Sequence, residues 1–172
     1  MAFGKFGRYY PDGGSYRSTS LDLVAALADA VAWFREENGR RHQVRFTSDV
    51  DHFRVQTDET HLRYIIINLL ENAAKYSAAG THIDVDLSTR QEIPRFIVTD
   101  RGIGVPGVEL DELFSPFFRA SNVGDRPGTG MGLPIVKQSA RLIGAEIAVS
   151  SELGEGSTFT VTLPGRLGRP PA

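Results

Sequence analysis

The stretch LRYIIINLLENAAKYS, Leu62–Ser77, decides how this chain folds. At about 100° per residue, Leu62, Ile66, Leu69, Leu70 and Ala73 fall on one apolar stripe. The segment therefore reads as an amphipathic helix from about Glu59 to Ser77, with Asp58 as its N-cap. Asn68, Glu71, Asn72 and Lys75 recur at i, i+3, i+4 and i+7 and share a neighbouring face, with Tyr76 on its border. Two amides, a carboxylate and an ammonium on one face can ligate a hydrated magnesium ion and hold phosphate oxygens, because Mg²⁺ keeps several waters and takes few protein oxygens. The same spacing fits a solvated helix face. Asn is mildly unfavourable inside a helix, so two on one stripe ask for a reason.

Outward from this helix the chain alternates helical and strand patterns. Upstream, Ser20 reads as the cap of a helix from about Leu21 to Glu37, with Leu21, Val24, Ala25, Leu27, Ala28, Val31 and Trp33 as its apolar positions. Gln43–Thr47 and Phe53–Gln56 alternate as short strands, joined as a hairpin across Ser48–Asp51. Downstream, His82–Ser88 and Arg95–Asp100 read as strands and Glu109–Phe114 as a short helix. Leu133–Ile143 reads as a helix with Pro134 in its first turn and Gly144 at its end. Ile147–Ser150 and Ser157–Leu163 form a closing hairpin. The pattern predicts an α+β fold: a two-layer sandwich, its mixed sheet covered on one face by about three helices. Residues 1–20, with a Pro-Asp-Gly-Gly turn, read as a linker or the remnant of a preceding segment. Residues 21–164 read as the domain and residues 165–172 as a disordered tail.

Two glycine-bearing loops interrupt these elements. The strand RFIVTD ends at Asp100 and runs into RGIGVP, so Gly102 and Gly104 would let a flat ligand lie against backbone while Asp100 accepts a hydrogen bond, as from an adenine amino group. A plain tight turn has the same sequence pattern. The second loop, GDRPGTGMGLPIVKQ, places Gly128, Gly130 and Gly132 directly before a helix whose free N–H groups and dipole suit a polyphosphate. A flexible surface loop also fits. No Gly-Lys-Ser/Thr follows and no strand leads in, which excludes a P-loop and a dinucleotide fingerprint.

Composition sets outer bounds. The chain has 172 residues, 41% hydrophobic and 23% charged, enough for one domain with an ordinary core. Its net charge of −2 gives no basic excess for nucleic acid or anionic lipid. The absence of cysteine excludes disulfides, thiolate metal sites and cysteine nucleophiles. No apolar run reaches the roughly 20 residues of a membrane helix, and no signal-peptide apolar region is present. The expected setting is cytoplasmic, as the soluble part of a parent that is itself soluble or membrane-bound.

Taken together, the motifs resemble the histidine-kinase ATPase domain of the gyrase and heat-shock-chaperone superfamily, with the Bergerat nucleotide fold. NLLENAAKY (Asn68–Tyr76) is similar to the N box, DRGIGVP (Asp100–Pro106) to the first glycine box, LFSPFFRA (Leu113–Ala120) to the phenylalanine box, and GTGMGLPIVK (Gly128–Lys137) to the second glycine box. SSELGEGSTFTVTLP (Ser150–Pro164) is similar to the family's terminal hairpin. Four motifs in order are a specific match, covering about Leu21 to Pro164. The resemblance implies ATP and Mg²⁺ as ligands, Asn72 coordinating the metal with Asn68 in support, and Lys75 and Arg119 on phosphates. Asp100 would accept from the adenine amino group, Gly102 and Gly104 would border the base and Tyr76 would flank the nucleotide. Gly128, Thr129, Gly130, Met131, Gly132 and Leu133, with Thr158 of the terminal hairpin, complete the implied binding set. Phe114, Phe117 and Phe118 would anchor an ATP lid whose mobile part is about residues 119–130; ordinary core packing fits them as well. Arg126 is a looser candidate for phosphate.

The resemblance further implies a chemistry. Water-activating relatives carry a glutamate where this chain has Asn68, which favours phosphoryl transfer to a side chain over hydrolysis. Asn68, Glu71 and Lys75 are then the candidate catalytic residues. A histidine kinase also needs an acceptor histidine, usually followed by Asp or Glu, in a helical dimerisation domain. His42, His52, His61 and His82 are followed by Gln43, Phe53, Leu62 and Ile83, so none has that context, and His61 reads as an ordinary helix residue. The implied partners are therefore a dimerisation domain carrying the acceptor, and a response regulator. An anti-sigma-type serine kinase of the same fold is the alternative, and a degenerate nucleotide-binding regulator a third reading. The phenylalanine box and GTGMGL favour the sensor kinase; Asn72, Asp100 and the glycine boxes count against degeneracy.

Overall fold

Period-two alternation fixes the sheet. In His82–Ser88 and Arg95–Asp100 the residues Ile83, Val85, Leu87, Phe96 and Val98 are buried, while the residues between them are half-buried or exposed. The structure, a computed structural model, describes residues 16–38 and 41–165. Its elements are β1 (Thr19–Asp22), α1 (Leu23–Asn38), β2 (Gln43–Ser48), β3 (Arg54–Thr57), α2 (Glu59–Tyr76), β4 (His82–Ser88), β5 (Arg95–Asp100), α3 (Gly132–Leu142), β6 (Glu146–Glu152) and β7 (Gly156–Thr162). Five strands form one sheet in the order β2-β4-β5-β7-β6, and β1 pairs with β3 separately. The β2–β4 pair is parallel and the other pairs are antiparallel, so the sheet is mixed. The helices pack on one of its sides, giving the expected two-layer α+β sandwich. The opposite side carries Asp84, Asp86, Thr99, Thr158 and Thr160, half-buried as on an uncovered face.

The central helix α2 forms as its sequence dictates. Leu62, Ile66, Leu69, Leu70 and Ala73 are all buried, joined by Ile65. Asp58 caps the start, its carboxylate accepting the Thr60 and His61 N–H groups at 2.9 and 3.2 Å, an arrangement worth about 1 kcal/mol. Its second oxygen accepts the Arg17 N–H at 2.8 Å, tying the chain before β1 to the head of α2.

Three expectations are corrected. Ser20 does not cap α1; it lies in β1 opposite Gln56, and the helix starts at Leu23, where the Asp22 carboxylate accepts the Val24 N–H. The buried positions shift accordingly to Leu23, Leu27, Ala30, Val31 and Phe34, leaving Ala25 exposed. The folded body thus begins by Thr19, ahead of the expected boundary at residue 21. The hairpin across Ser48–Asp51 does not exist. β2 instead lies parallel to β4, and a parallel pair needs a long crossover, here β3 and α2. Asp49 lies in the bend that follows β2, and its carboxylate accepts the Thr89 N–H and the Ser88 and Thr89 hydroxyls, clamping the exits of β2 and β4 together. Finally, the short helix expected at Glu109–Phe114 is a 3₁₀ helix that runs Gly107–Glu112 and stops before the phenylalanine box. Residues 1–15 of the expected linker and 166–172 of the expected tail lie outside the described residues. Among the described residues no helix is long and apolar enough to cross a membrane.

Candidate nucleotide site

The polar stripe of α2 does not face open solvent. It forms one wall of a cavity of about 920 Å³, closed by the segment from Ile103 to Met131, the head of α3 and the inner ends of β5 and β7. Asn68, Glu71, Asn72, Lys75 and Tyr76 all line it, as do Asp100, Gly104, Arg119 and the run Gly128–Leu133. Glu71 is exposed toward the cavity, and partial loss of water raises its carboxyl above the usual range.

One end is built around Asp100, at the buried end of β5. Burial pushes its carboxyl up to about 6, while hydrogen bonds from the Gly102 N–H at 2.8 Å and from the Ser157 backbone pull the other way. Gly102 does not line the cavity; it is needed for closeness. A side-chain carbon there would lie 2.7 Å from both the Asp100 carboxylate and the Tyr76 carbonyl oxygen, so only glycine lets the turn fold under the end of α2.

The other end is built at the head of α3. Asn68 donates its amide N–H to the Tyr64 carbonyl at 2.8 Å, which turns its Oδ1 toward Gly132. Both amide atoms of Asn72 lie in the same direction. Met131, at the start of α3, makes no side-chain capping hydrogen bond, so the first-turn N–H groups are unclaimed from that side. Two amides beside the positive end of a helix make a place for an anion and a hard cation together. Lys75 lies above the Tyr76 ring at 4.8 Å, with the Gly128 backbone packed against its ammonium.

The segment over the cavity is held by its own backbone. Arg119 donates to the carbonyls of Gly124, at 3.3 Å, and Arg126, and Arg126 donates to the Val123 carbonyl at 3.4 Å. Both guanidiniums, expected on phosphate, are turned onto carbonyls of their own segment. Of the three phenylalanines, Phe118 lines the cavity and Phe114 packs against the core, but Phe117 is 75% exposed. Its anchoring is through backbone: a φ of +65° turns the ring outward while its N–H bonds the Gly130 carbonyl at 3.1 Å. Gly130 has no room for a side chain against that junction, where a carbon would lie 2.7 Å from Phe117.

Thr158, like Gly102, does not line the cavity. It sits on the opposite face of the sheet, its hydroxyl 3.4 Å from that of Thr99. Its neighbour Ser157 lines the cavity instead. Alternation from buried Phe159 was the available signal, since 157 and 159 share a face. Tyr64 and Thr60 also line the groove and were missed, although they continue the Asn68 position by steps of four. None of the four histidines lines the cavity. His61 is a helix residue of α2, as expected; it is buried, with Nδ1 3.4 Å from Ser139 Oγ across the α2–α3 contact.

The chain is similar to known proteins in sequence and in fold. The family described as histidine kinase-, DNA gyrase B-, and HSP90-like ATPase matches residues 57–167. The aerobic respiration control sensor protein ArcB of Escherichia coli K12 is 36% identical over 152 residues, 83% of this chain and 19% of that protein. The sensor-like histidine kinase SenX3 of Mycolicibacterium smegmatis is 38% identical over 157 residues, 88% of this chain and 41% of that protein. The chain thus spans under half the length of these curated relatives. The solved mycobacterial sensor histidine kinase MprB superposes with a TM-score of 0.75 at 27% identity, covering 87% of this chain and 99% of that one. With the family match over residues 57–167, relatives at 36–38% identity and a superposing solved kinase, the chain belongs to the histidine kinase-, DNA gyrase B- and HSP90-like ATPase family, as a catalytic ATP-binding domain of the sensor histidine kinase kind.

Proposed function

We propose that this chain binds Mg-ATP along α2 and donates the γ-phosphate to a histidine on a separate dimerisation domain. The observation that carries the reading is the polarity of the cavity: a buried acceptor, Asp100, at one end, and Asn68, Asn72 and the uncapped head of α3 at the other. Asp100 takes the adenine amino group and Tyr76 flanks the base. The first-turn N–H groups of α3, Gly128–Leu133 and Lys75 take the phosphates. The donor set at the head of α3 suits a hard cation, and Asn72 is the ligand with Asn68 beside it. A Mg²⁺ ion held there would neutralise part of the phosphate charge. Arg119 is free to join the phosphates only after leaving the Gly124 and Arg126 carbonyls.

Phosphoryl transfer depends chiefly on positioning and charge stabilisation. An imidazole nitrogen of the acceptor forms the N–P bond as the bond from Pγ to the bridging oxygen breaks. ADP leaves with that electron pair, and the proton on the other ring nitrogen passes to a carboxylate beside the acceptor. Asn68 is no base for water, so hydrolysis by the chain alone is slow. The cellular setting that fits is the cytoplasmic portion of a sensor, with a response regulator receiving the phosphate next. Titration calorimetry tests the binding step: ATP with Mg²⁺ should bind well, ATP in EDTA weakly. Equal affinity in both would remove the metal from the account, and no binding in either would remove the nucleotide.

A further inference from the structure

Ser151 and Ser157 are cross-strand partners in the β6–β7 hairpin, with hydroxyl oxygens 2.9 Å apart. Ser157 is buried and lines the cavity beside Asp100. Ser151 Oγ has two further contacts: it accepts the Val105 N–H at 2.9 Å and lies 2.7 Å from the Gly156 carbonyl oxygen. A hydroxyl has one proton and two lone pairs. The Gly156 carbonyl can only accept, so the Ser151 proton goes there. The Val105 N–H can only donate, so it occupies one lone pair. The remaining lone pair must receive the Ser157 proton. Ser157 Oγ then shows the cavity lone pairs alone. The reverse arrangement, with Ser151 donating to Ser157, would set lone pair against carbonyl at 2.7 Å in a partly buried site.

We propose that Ser151 is a positioning residue for purine choice: by taking the Ser157 proton it makes Ser157 Oγ a second acceptor beside the Asp100 carboxylate, so this end of the cavity takes a six-amino purine and rejects a six-oxo purine. The proposal rests on the adenosine-nucleotide reading above. An amino group there brings two hydrogens to two acceptors. A carbonyl meets two acceptors and no side-chain donor, and selectivity follows as much from that repulsion as from the attraction. The Val105 contact adds a tie, since the hydroxyl that sets the proton direction also holds the loop from Gly102 to Pro106.

The test compares affinities for ATP and inosine triphosphate, which carries oxygen at the six position, in wild type, Ser151→Ala, Ser151→Thr and Ser157→Ala, with thermal melting alongside. Wild type should prefer ATP. Ser151→Ala frees the Ser157 proton to turn into the cavity and donate to the six-oxo group. The preference should contract by about tenfold, largely through tighter binding of inosine triphosphate, a gain that general damage to the fold does not produce. Ser151→Thr keeps the hydroxyl and should keep the preference. Ser157→Ala should weaken ATP without strengthening inosine triphosphate; if Ser151→Ala does not fold, that variant decides the matter. An unchanged preference in Ser151→Ala, equal losses for both nucleotides, or undiminished ATP affinity in Ser157→Ala would overturn the relay while leaving the adenosine reading intact. Equal binding of the two nucleotides by wild type would overturn that reading, and the relay with it.

Discussion

The raised carboxyl of Asp100 makes base recognition sensitive to mild acid. Burial sets its pKa to about 6, and only the ionised form is a pure acceptor for an amino group. The sign follows directly: below pH 6 the empty site holds a proton that must leave before the base binds, so affinity falls as pH falls. With an apparent dissociation constant proportional to 1 + 10^(pKa − pH), the penalty is about 1.1-fold at pH 7 and about 11-fold at pH 5. Adenosine affinity should therefore drop about tenfold between those values. Adenosine is the right probe because it lacks the phosphates, whose own titration and metal binding change over the same range. Calorimetry at pH 7, 6 and 5 reads the effect, and proton release measured in buffers of different ionisation enthalpy should rise toward one per site at low pH. Asp100→Asn should weaken adenosine at pH 7 by roughly 1.5–3 kcal/mol, the scale of a hydrogen bond to a charged group, and should abolish the slope. A flat profile in wild type, or the same slope in Asp100→Asn, would refute the assignment of this carboxylate to the base.

Other consequences reach the rest of the cavity and the core. Asn72→Ala should lose the magnesium dependence of ATP binding while still binding adenosine; unchanged Mg-ATP affinity in calorimetry would show that Asn72 is not the ligand. Hydrogen exchange across residues 119–130 should slow when a non-hydrolysable ATP analogue is added, because Arg119 and Arg126 gain phosphate partners; unchanged exchange would contradict a closing lid. His42 is buried, and loss of water chiefly lowers its pKa, so the unfolded chain takes up that proton more readily. Its contribution to stability is present above the unfolded value near 6.5 and lost as pH falls below it. Melting temperatures of wild type and His42→Leu should show a smaller acid loss in the variant between pH 7.5 and 5, and equal losses would assign the acid sensitivity elsewhere.

How legible this was depended on range. The stripe of α2, its Asp58 cap and the alternation of β4 and β5 are local signals, and the structure has each of them where the sequence puts it. The pairing of β2 with β4 is set by the distant Thr89 and Leu87 backbone and by the Asp49 clamp, none of which a turn-like Ser-Asp-Val-Asp announces. β1 exists only because β3 offers it an edge. In the cavity, residues on α2 could be read from helical spacing. The choice between Ser157 and Thr158 needed the strand's facing, and the outward turn of Phe117 needed its positive φ. The arginines show a further gap, since a sequence names a phosphate-binding residue but not the carbonyls that hold it beforehand.

On the proposed mechanism the accepting histidine lies on another domain. The most direct measurement incubates this chain with labelled ATP and Mg²⁺, alone and with the dimerisation domain of the same parent. The chain alone should show no stable phosphohistidine, and the added domain's histidine should carry acid-labile, base-stable label when both are present. None of the four histidines lines the cavity, and His61 and His42 are buried besides, so none is placed to receive the phosphate. Robust label on any of these four in the isolated chain, or on a serine of the added partner, would contradict that mechanism.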